Sequence, residues 1–579
     1  MTSGSFSPFF LVFLTMWSLF SATAVSGQNA PGRFWVQFEG KEQDELPPGH
    51  FTPFSVLAPE SFLSQRSLQR RTNQGIDIHS HDLPIPPSYL SAISSFPEVK
   101  IILKSKWFNA VTIAIVDSLF DPQSLNDLDF VVGVKSVLQA GDKGKFDLAA
   151  PLESEGLPNV RSHVAVEPNA YGKGWDAIHQ LNGGWMHGMG FRGQGKCIAV
   201  LDAGFEYAER LPAFQHAWND NRIIEGIDAM QSQAGLFAHH RHGTSVLSTM
   251  AGWLPDSLIG TAPDATFILY RTEDAYSEYL IEEEYWVAAA EHADSVGVDL
   301  INTSLGYSLF DDSTMNHVAE ELNGTTARIS QAMTWAASKG ILCVTSAGNS
   351  GNSPWHFITA PADAENILAV GAVNVNGQQA AFSGWGPSAD GRIKPEVMAL
   401  GVQAAYAKSD STIARGNGTS FSSPILCGMS ACLWQAFPQA TAAELREAII
   451  QSAHLYQAPN DSMGHGIPNF REAFRILEGG AVNWEERSNA PPLLIFPNPS
   501  DEPLIRWMYR GDQLPDSWQL FNARGQLMAE GEVPFWSTSS GALQGFERIE
   551  IELPPGAYVF QISGLERPIE QSRWMYLPQ

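Results

Sequence analysis

The central part of the chain is predicted to form an α/β domain, with a doubly wound, mostly parallel sheet and helices on both faces. Short apolar segments that have the length of buried strands recur between about residues 166 and 480, and helical segments separate them. Strands that are apolar along their whole length are typical of parallel sheets covered on both faces. The predicted strands are Ile198–Leu201, Val298–Ile301, Ile341–Thr345 and Ile367–Val373.

Two amphipathic helices are predicted between these strands. One covers Glu278 to Ser295, and the other has apolar residues at helical spacing from Ile329 to Ala336. Gly340 follows the second helix, where glycine commonly ends a helix. The alternation of such helices with buried strands supports the α/β class.

Regions of different composition flank the central domain. Residues 28–165 contain the alternating run Arg33–Phe38 and further apolar stretches at Ile101–Val116 and Phe130–Leu138, so we expect a separate α+β region there. Residues 481–493 are predicted to be a linker, and residues 494–579 have short alternating strands between proline-rich turns. This last region is predicted to be an all-β sandwich module.

The composition limits the classes of partner. The chain has 579 residues, of which 44% are hydrophobic, and its net charge is −27. Such a composition is that of a globular protein, and the negative charge argues against a nucleic-acid partner.

An apolar run from Phe9 to Phe20 followed by small residues predicts a signal peptide over residues 1–27, with a lipid-lodged anchor as the alternative. No later apolar run is long enough to predict a transmembrane segment in the mature protein.

The sequence also contains four cysteines, a glycine-rich motif and a run of histidines, and each has an ordinary structural explanation. The four cysteines form no C-x-x-C pair, so we expect buried thiols and not a zinc site. The glycines of Gly188–Gly193 match a nucleotide-binding motif but lead into a strand, whereas the motif requires a helix there. His239, His240 and His242 lack acidic partners at ligand spacing, so no metal site is predicted.

Four segments place a polar side chain where a strand ends or a helix begins. Asp202 follows the strand Ile198–Leu201, and a carboxylate there is either a site residue or a helix cap. His242 precedes Gly-Thr-Ser, and Asn349 follows another strand in a segment that would also suit a turn. Ser420 lies in the string Gly416–Pro424 before an apolar helix, with Pro424 expected in the first turn. Free N–H groups at a helix start favour a developing oxyanion.

The order of Asp202, His242, Asn349 and Ser420, each in its own motif, resembles the subtilisin-like serine peptidases. The resemblance covers roughly residues 169–480. Four intervening strings support it, namely Gly260–Pro263, Asn302–Gly306, Asp390–Pro395 and Gly464–Asn469. Ala203 after the acid departs from the family pattern, where many members have Thr or Ser.

The resemblance implies a serine endopeptidase that acts on protein or peptide substrates, is made as a zymogen and needs no cofactor. It assigns Asp202, His242 and Ser420 to a catalytic triad, and the Asn349 amide with the Ser420 N–H to the oxyanion hole. The implied substrate-binding residues are Ser304, Leu305, Gly306, Ser346, Ala347 and Gly348. The segment Trp355–Phe357 is expected to close the floor of that pocket. Members of the family often carry structural calcium, for which the sequence suggests no ligands.

The flanking regions also resemble known modules. Residues 28–165 resemble the pro-region of a secreted subtilase, with a permanent accessory domain as the alternative. Phe496–Ser500 and Leu553–Val559 resemble the type IX secretion sorting domain of Bacteroidetes, with a carbohydrate- or protein-binding sandwich as the alternative. This implies export through the periplasm by the type IX machinery to the medium or cell surface. A narrow-specificity processing peptidase and a catalytically silent surface protein remain alternatives.

Overall fold

The computed structural model describes residues 30–140, 171–231, 235–408 and 412–480, and seven strands with one connecting turn beyond residue 492. Several predicted features lie outside the described residues. They are the signal peptide, the end of the region 28–165, the linker up to residue 492, and most of the two C-terminal motifs.

The N-terminal unit, Ala30–Ala140, is an antiparallel four-stranded sheet with two helices, and its strand order is β2-β3-β1-β4. Its elements are β1 (Ala30–Phe38), α1 (Gln65–Asn73), α2 (Pro87–Ser94), β2 (Val99–Ser105), β3 (Ala110–Ile115) and β4 (Val131–Ala140). The apolar stretch Ile101–Val116 divides into two strands because the chain reverses at Asn109, whose φ of 49° lies in the left-handed region that asparagine tolerates.

The central domain is built on a seven-stranded sheet in which all neighbouring strands are parallel, in the order β13-β12-β11-β10-β5-β9-β6. The strands of this domain, including two short hairpins, are β5 (Cys197–Asp202), β6 (Ile223–Asp228), β7 (Trp253–Leu254), β8 (Leu258–Ile259), β9 (Thr266–Arg271), β10 (Leu300–Thr303), β11 (Leu342–Ser346), β12 (Leu368–Val373), β13 (Val397–Leu400), β14 (Ala404–Ala407) and β15 (Ile413–Gly416).

Helices cover both faces of this sheet, which confirms the predicted α/β class. They are α3 (Trp175–Gln180), α4 (Gly183–Gly188), α5 (Gln215–Asn219), α6 (His242–Ala251), α7 (Ile281–Val296), α8 (Arg328–Ser338), α9 (Thr419–Ala436), α10 (Ala442–Gln451) and α11 (Phe470–Gly480). Along β5, Ile198 and Val200 pack into the core that contains α6 and α9. Ala199 and Leu201 pack into the core that contains α7 and α8, so both faces of β5 are buried.

One predicted strand is displaced along the sequence. We expected Val298–Ile301, whereas β10 pairs with β5 from Leu300 and extends to Thr303. The strand therefore ends in two polar residues that are fully buried, Asn302 and Thr303. Both are matched by hydrogen bonds, since Ser423 Oγ donates to Asn302 Oδ1 at 2.8 Å and Trp286 Nε1 donates to Thr303 Oγ1 at 3.0 Å.

The N-terminal unit packs against α7 and α8 of the central domain. Trp35 and Trp107 are buried in the same core as these helices. Asp294 on α7 is completely buried and is bound by three cations of the N-terminal unit, Arg70 at 2.5 Å, Arg71 at 2.9 Å and Lys106 at 3.3 Å. The interface therefore combines an apolar core with a buried ionic network.

The described part of the C-terminal region consists of two antiparallel sheets, β16-β17-β20 and β19-β18-β21-β22. The strands are β16 (Leu493–Phe496), β17 (Leu504–Tyr509), β18 (Ser517–Asn522), β19 (Leu527–Glu532), β20 (Leu543–Arg548), β21 (Gly556–Gly564) and β22 (Arg567–Tyr576). Of the helices in the described residues, none combines the length and the apolar character needed to cross a membrane.

All four cysteines lie in the central domain, where they are buried and form no disulfide. Burial raises the pKa of the Cys197 thiol to about 12, so this thiol stays protonated at neutral pH.

Candidate active site

The predicted site residues meet at the carboxyl edge of the parallel sheet. Asp202 is the last residue of β5, and Ser304 and Asn349 follow the ends of β10 and β11. His242 and Ser420 lie in the first turns of α6 and α9, two helices that pack against each other. Since the ends of neighbouring parallel strands share one edge, residues distant in sequence converge there.

Asp202 and His242 form a buried hydrogen-bonded pair. His242 Nδ1 donates to Asp202 Oδ1 at 2.7 Å, and the backbone N–H of Ala203 donates to the same oxygen at 2.8 Å. Asp202 is completely buried, and His242 is 5% exposed. Burial opposes protonation of the imidazole, but the charge and the hydrogen bond of Asp202 outweigh it and raise the pKa of His242. With its proton on Nδ1, the neutral imidazole has its lone pair on Nε2.

Ser420 is the second residue of α9 and forms two hydrogen bonds with Ser304. Its Oγ donates to the Ser304 carbonyl at 3.2 Å, while Ser304 Oγ donates to the Ser420 carbonyl at 3.0 Å. No hydrogen bond joins Ser420 Oγ to His242 in the described residues, and the hydroxyl must leave the Ser304 carbonyl to make one.

Pro424 explains why the Ser420 carbonyl accepts a bond from outside the helix. We expected Pro424 in the first turn, but it is the sixth residue of α9. A residue there normally donates its N–H to the carbonyl four residues earlier, which is that of Ser420, and proline has no N–H. Ser304 Oγ supplies a donor instead, and it also accepts from Asn302 Nδ2 at 3.1 Å.

Asn349 lies beside the start of α9 and is oriented by Thr419. Its Oδ1 accepts hydrogen bonds from Thr419 N and from Thr419 Oγ1, both at 2.9 Å. Asn349 is exposed, and with its oxygen engaged its Nδ2 remains to donate toward the cleft. The Asn349 amide therefore lies beside Thr419, the residue that precedes Ser420.

The two small-residue segments after β10 and β11 lie side by side, since Ser346 Oγ donates to the Leu305 carbonyl at 3.2 Å. Thr359, which the sequence analysis missed, lies between them. A Cβ added to Gly306 would come within 2.1 Å of Thr359 Oγ1, and one added to Gly348 within 2.8 Å. The Thr359 hydroxyl is buried and makes no hydrogen bond.

The segment Trp355–Phe357, which we expected to close the pocket, lies near one of its walls, since Trp355 and Phe357 pack against the core that contains Ala347. His356 stacks on Trp385 with ring centroids 4.8 Å apart, and the Trp355 indole donates to the Ile358 carbonyl at 3.0 Å. Thr359 contacts both Gly306 and Gly348, which belong to different segments. The two glycines are brought together only when the chain folds.

A cavity of about 430 Å³ is lined by Ala203 and Arg241, the sequence neighbours of Asp202 and His242. Its lining also includes His239, Arg271, Asp274 and Tyr276. The neighbouring His240 ring stacks on His242 with centroids 6.4 Å apart, so the histidine run packs around the pair.

Two protein families match different parts of the chain. Residues 193–466 match the subtilase family, and residues 33–147 match the Bacteroidota type of the peptidase S8 propeptide domain. The fold and these matches define a subtilisin-like peptidase domain preceded by a propeptide domain. The chain is a serine-type endopeptidase made with a propeptide.

Several characterised proteases are similar in sequence. The chain is 28% identical to subtilisin DY of Bacillus licheniformis over 270 residues, which is 46% of this chain and 87% of that protein. It is 29% identical to the thermostable alkaline protease of Halalkalibacterium halodurans over 317 residues, or 54% of this chain and 76% of that one. Subtilisin E of Bacillus subtilis is 28% identical over 300 residues, with 51% and 70% covered.

Among solved structures, the MycP3 protease of the type VII (ESX-3) secretion system is similar, with a TM-score of 0.42 and 23% identity over 53% of this chain and 89% of that one. The prenylagaramide maturation protease PagA is similar with a TM-score of 0.41 and 22% identity, over 51% and 98%.

Proposed function

We propose that the protein is a secreted endopeptidase in which Asp202, His242 and Ser420 form the catalytic triad. The observation that carries this proposal is the 2.7 Å hydrogen bond from His242 Nδ1 to a fully buried Asp202, at the same sheet edge as Ser420. A serine hydroxyl needs a base within reach, and this pair supplies an imidazole in the required tautomer.

In this mechanism the Ser420 hydroxyl leaves the Ser304 carbonyl and turns to His242 Nε2. Its oxygen attacks the carbonyl carbon of the scissile peptide while Nε2 takes the proton. The tetrahedral intermediate collapses when the C–N bond breaks and the imidazolium returns the proton to the departing amine. Water then repeats the sequence on the acyl-enzyme, which releases the acid and restores Ser420. Asp202 holds the imidazole in this tautomer and stabilises the imidazolium.

The oxyanion hole is assigned to Asn349 Nδ2 and the Ser420 backbone N–H. The hydrogen bonds from Thr419 to Asn349 Oδ1 hold this amide in one orientation before substrate binds. Such a donor is effective because it requires no reorganisation when the charge develops. The Ser420 N–H lies at the positive end of α9, which favours the same charge.

The first specificity pocket is assigned to the segments Ser304–Gly306 and Ser346–Gly348. Thr359 fills the space between their glycines, so we place its hydroxyl at the base of the pocket. A buried hydroxyl without a partner favours a substrate group that forms a hydrogen bond with it.

The wider domain assignment is part of the same proposal. Residues 1–27 are the signal peptide, 28–165 the pro-region, 166–480 the peptidase domain, 481–493 the linker and 494–579 a type IX sorting domain. The two antiparallel sheets after residue 492 support a β-sandwich module of this kind. Export would then pass through the periplasm and engage the type IX machinery, and the peptidase acts in the medium or at the cell surface.

The test is covalent labelling with a serine-directed aryl phosphonate, followed by mass spectrometry of the labelled peptide. We expect the label on Ser420 in the wild type and in the control Ser338→Ala, which changes an exposed serine. The label should be lost in Ser420→Ala and in His242→Ala. A label on another serine, or no label on protein freed of its propeptide, would favour a silent surface protein. Digestion of a peptide library then separates broad cleavage from narrow processing.

A further inference from the structure

Thr359 lies on a backbone segment that is hydrogen-bonded to both segments of the assigned pocket, which we call its two walls. The Thr359 N–H donates to the carbonyl of Ala347 at 3.3 Å, in the wall after β11. The next residue, Ala360, exchanges two backbone hydrogen bonds with Tyr307, at 2.8 and 3.0 Å. Tyr307 directly follows Gly306, in the wall after β10. These bonds hold Thr359 between the two walls.

The Thr359 side chain occupies the space that the two wall glycines leave free. A Cβ added to Gly306 would lie 2.1 Å from Thr359 Oγ1 and 3.1 Å from Thr359 Cβ. A Cβ added to Gly348 would lie 2.8 Å from the same oxygen and 3.0 Å from Thr359 Cγ2. Non-bonded carbon atoms prefer separations of about 3.5–4.0 Å. The hydroxyl and the methyl group of Thr359 therefore already fill the room between the walls.

Thr359 has little freedom to move aside for a substrate. Its side chain is β-branched, which restricts rotation about χ1. Ile358, which precedes it, is completely buried, and the Ile358 N–H donates to the carbonyl of Trp385 at 3.1 Å. The wall after β11 is also fixed, because the Gly384 N–H donates to the carbonyl of Gly348 at 2.8 Å. The pocket cannot deepen without breaking these contacts.

The space between the walls ends at the Thr359 hydroxyl. Thr359 is 4% exposed, and its Oγ1 is buried without a hydrogen-bond partner. A long substrate side chain that entered between the walls would have to displace the threonine. Inserting extra atoms into a well-packed site is unfavourable.

We propose that Thr359 makes the first specificity pocket shallow, so that the enzyme cleaves after short residues, alanine and serine, and not after phenylalanine or leucine. This inference rests on the proposed function, because it requires the two walls to bind the residue whose carbonyl is attacked. Serine is short and also carries a hydroxyl that can form a hydrogen bond with the unpaired Thr359 oxygen. Thr359 is thus a specificity-determining residue that acts mainly through its size.

The experiment measures how fast Ser420 is labelled by peptidyl diphenyl phosphonates in the processed enzyme made from the full-length chain. The inhibitors share one peptide and one reactive group, and they differ only in the side chain that takes the place of the residue before the scissile bond. The set contains the alanine, serine, leucine and phenylalanine analogues. We expect the alanine and serine analogues to label Ser420 at least about 100-fold faster than the phenylalanine analogue.

Variants at Thr359 separate its size from its hydroxyl. Thr359→Gly should accelerate labelling by the phenylalanine analogue at least about 10-fold, and Thr359→Ala should change it in the same direction. Thr359→Ala keeps a Cβ, so it remains informative if Thr359→Gly fails to fold. Thr359→Val has a similar volume and no hydroxyl, and it should keep the preference for alanine over phenylalanine. The control Thr325→Ala changes an exposed threonine and should leave all rates unchanged.

The possible failures of the pocket and of the triad give different results. If the phenylalanine analogue labels wild-type Ser420 as fast as the alanine analogue, the pocket is not shallow and the triad still stands. If Thr359→Gly and Thr359→Ala discriminate against phenylalanine as strongly as the wild type, another residue limits the pocket and the proposal is wrong. If Thr359→Val loses the discrimination, the hydroxyl and not the size of Thr359 sets it. Labelling of Ser420 by no member of the set would instead refute the triad, on which the pocket depends.

Discussion

The replacement of Ser304 by alanine is expected to destabilise the domain through the carbonyl of Ser420. Pro424 cannot donate to this carbonyl, and Ser304 Oγ donates to it at 3.0 Å. A buried carbonyl that loses its donor costs about 1–3 kcal/mol. For a domain of this size each kcal/mol changes the Tm by about 2 °C, so we expect a decrease of about 2–6 °C for Ser304→Ala.

Pro424→Ala should reduce this cost, because alanine restores an N–H four residues after the carbonyl. In the Pro424→Ala background, the loss of the Ser304 hydroxyl leaves the Ser420 carbonyl with a helical donor. We therefore expect the double variant to be more stable than the sum of the two single effects predicts. The expected coupling energy is about 1–2 kcal/mol.

The assay is a double-mutant cycle followed by thermal unfolding. All four proteins carry Ser420→Ala, which keeps the backbone carbonyl and prevents self-cleavage. Asn302 loses an acceptor whenever Ser304 is replaced, and this contribution cancels because it occurs in both backgrounds. Additivity within about 0.3 kcal/mol would refute the reasoning.

Three further predictions concern the site and the interface. Asn349→Ala should lower kcat on a chromogenic peptide about 100- to 1,000-fold with little change in KM, as loss of this donor does in a subtilisin. Asp202 raises the pKa of His242 above its usual 6.5, and the imidazole must be neutral to act as a base. The acid limb of the kcat–pH profile should therefore lie above pH 6.5 and move to lower pH in Asp202→Asn, with kcat reduced about 10⁴-fold. Asp294→Asn should weaken the complex of cleaved propeptide and peptidase at least about 100-fold by titration, because breaking a buried ion pair costs about 3–5 kcal/mol.

Each of these predictions has a control. Ser338→Ala should leave kcat and its pH profile unchanged, and an Asp202→Asn profile with an unmoved acid limb would remove Asp202 from its role. Asp117→Asn changes an exposed carboxylate of the propeptide domain and should not affect the complex. Burial opposes ionisation of Asp294, but Lys106, Arg70 and Arg71 outweigh it and lower its pKa. The contact should therefore persist from pH 7 to 5, since it is lost only as pH falls through this lowered pKa. Release in that range would contradict this assignment.

The sequence predicted the part of the site that local patterns encode. Asp202 ends an apolar strand, and Ser420 follows glycines at the start of a helix, so each has a signal within a few neighbouring residues. Thr359 has no such signal, because its importance comes from the approach of Gly306 and Gly348. The edge strand β6 was also missed, since it is only partly buried and lacks a continuous apolar run.

The ionic interface was beyond sequence reasoning for another reason. The chain contains 62 acidic residues, so one aspartate of α7 does not stand out. Asp294 can be recognised as an interface residue only when Arg70 and Lys106, about 200 residues earlier, are folded against it.

The ionic contacts of α7 influence the fate of the propeptide after activation. Glu291 and Asp294 lie one turn apart, and both are covered by the N-terminal unit. If the connecting chain is cleaved and the N-terminal unit dissociates, both side chains become exposed to water, and the three cations that bind Asp294 leave on a separate molecule. That molecule retains every group needed to return, so separation alone is a reversible equilibrium. We expect release to become irreversible only when the free fragment is digested, so the time before full activity should depend on the rate of that digestion.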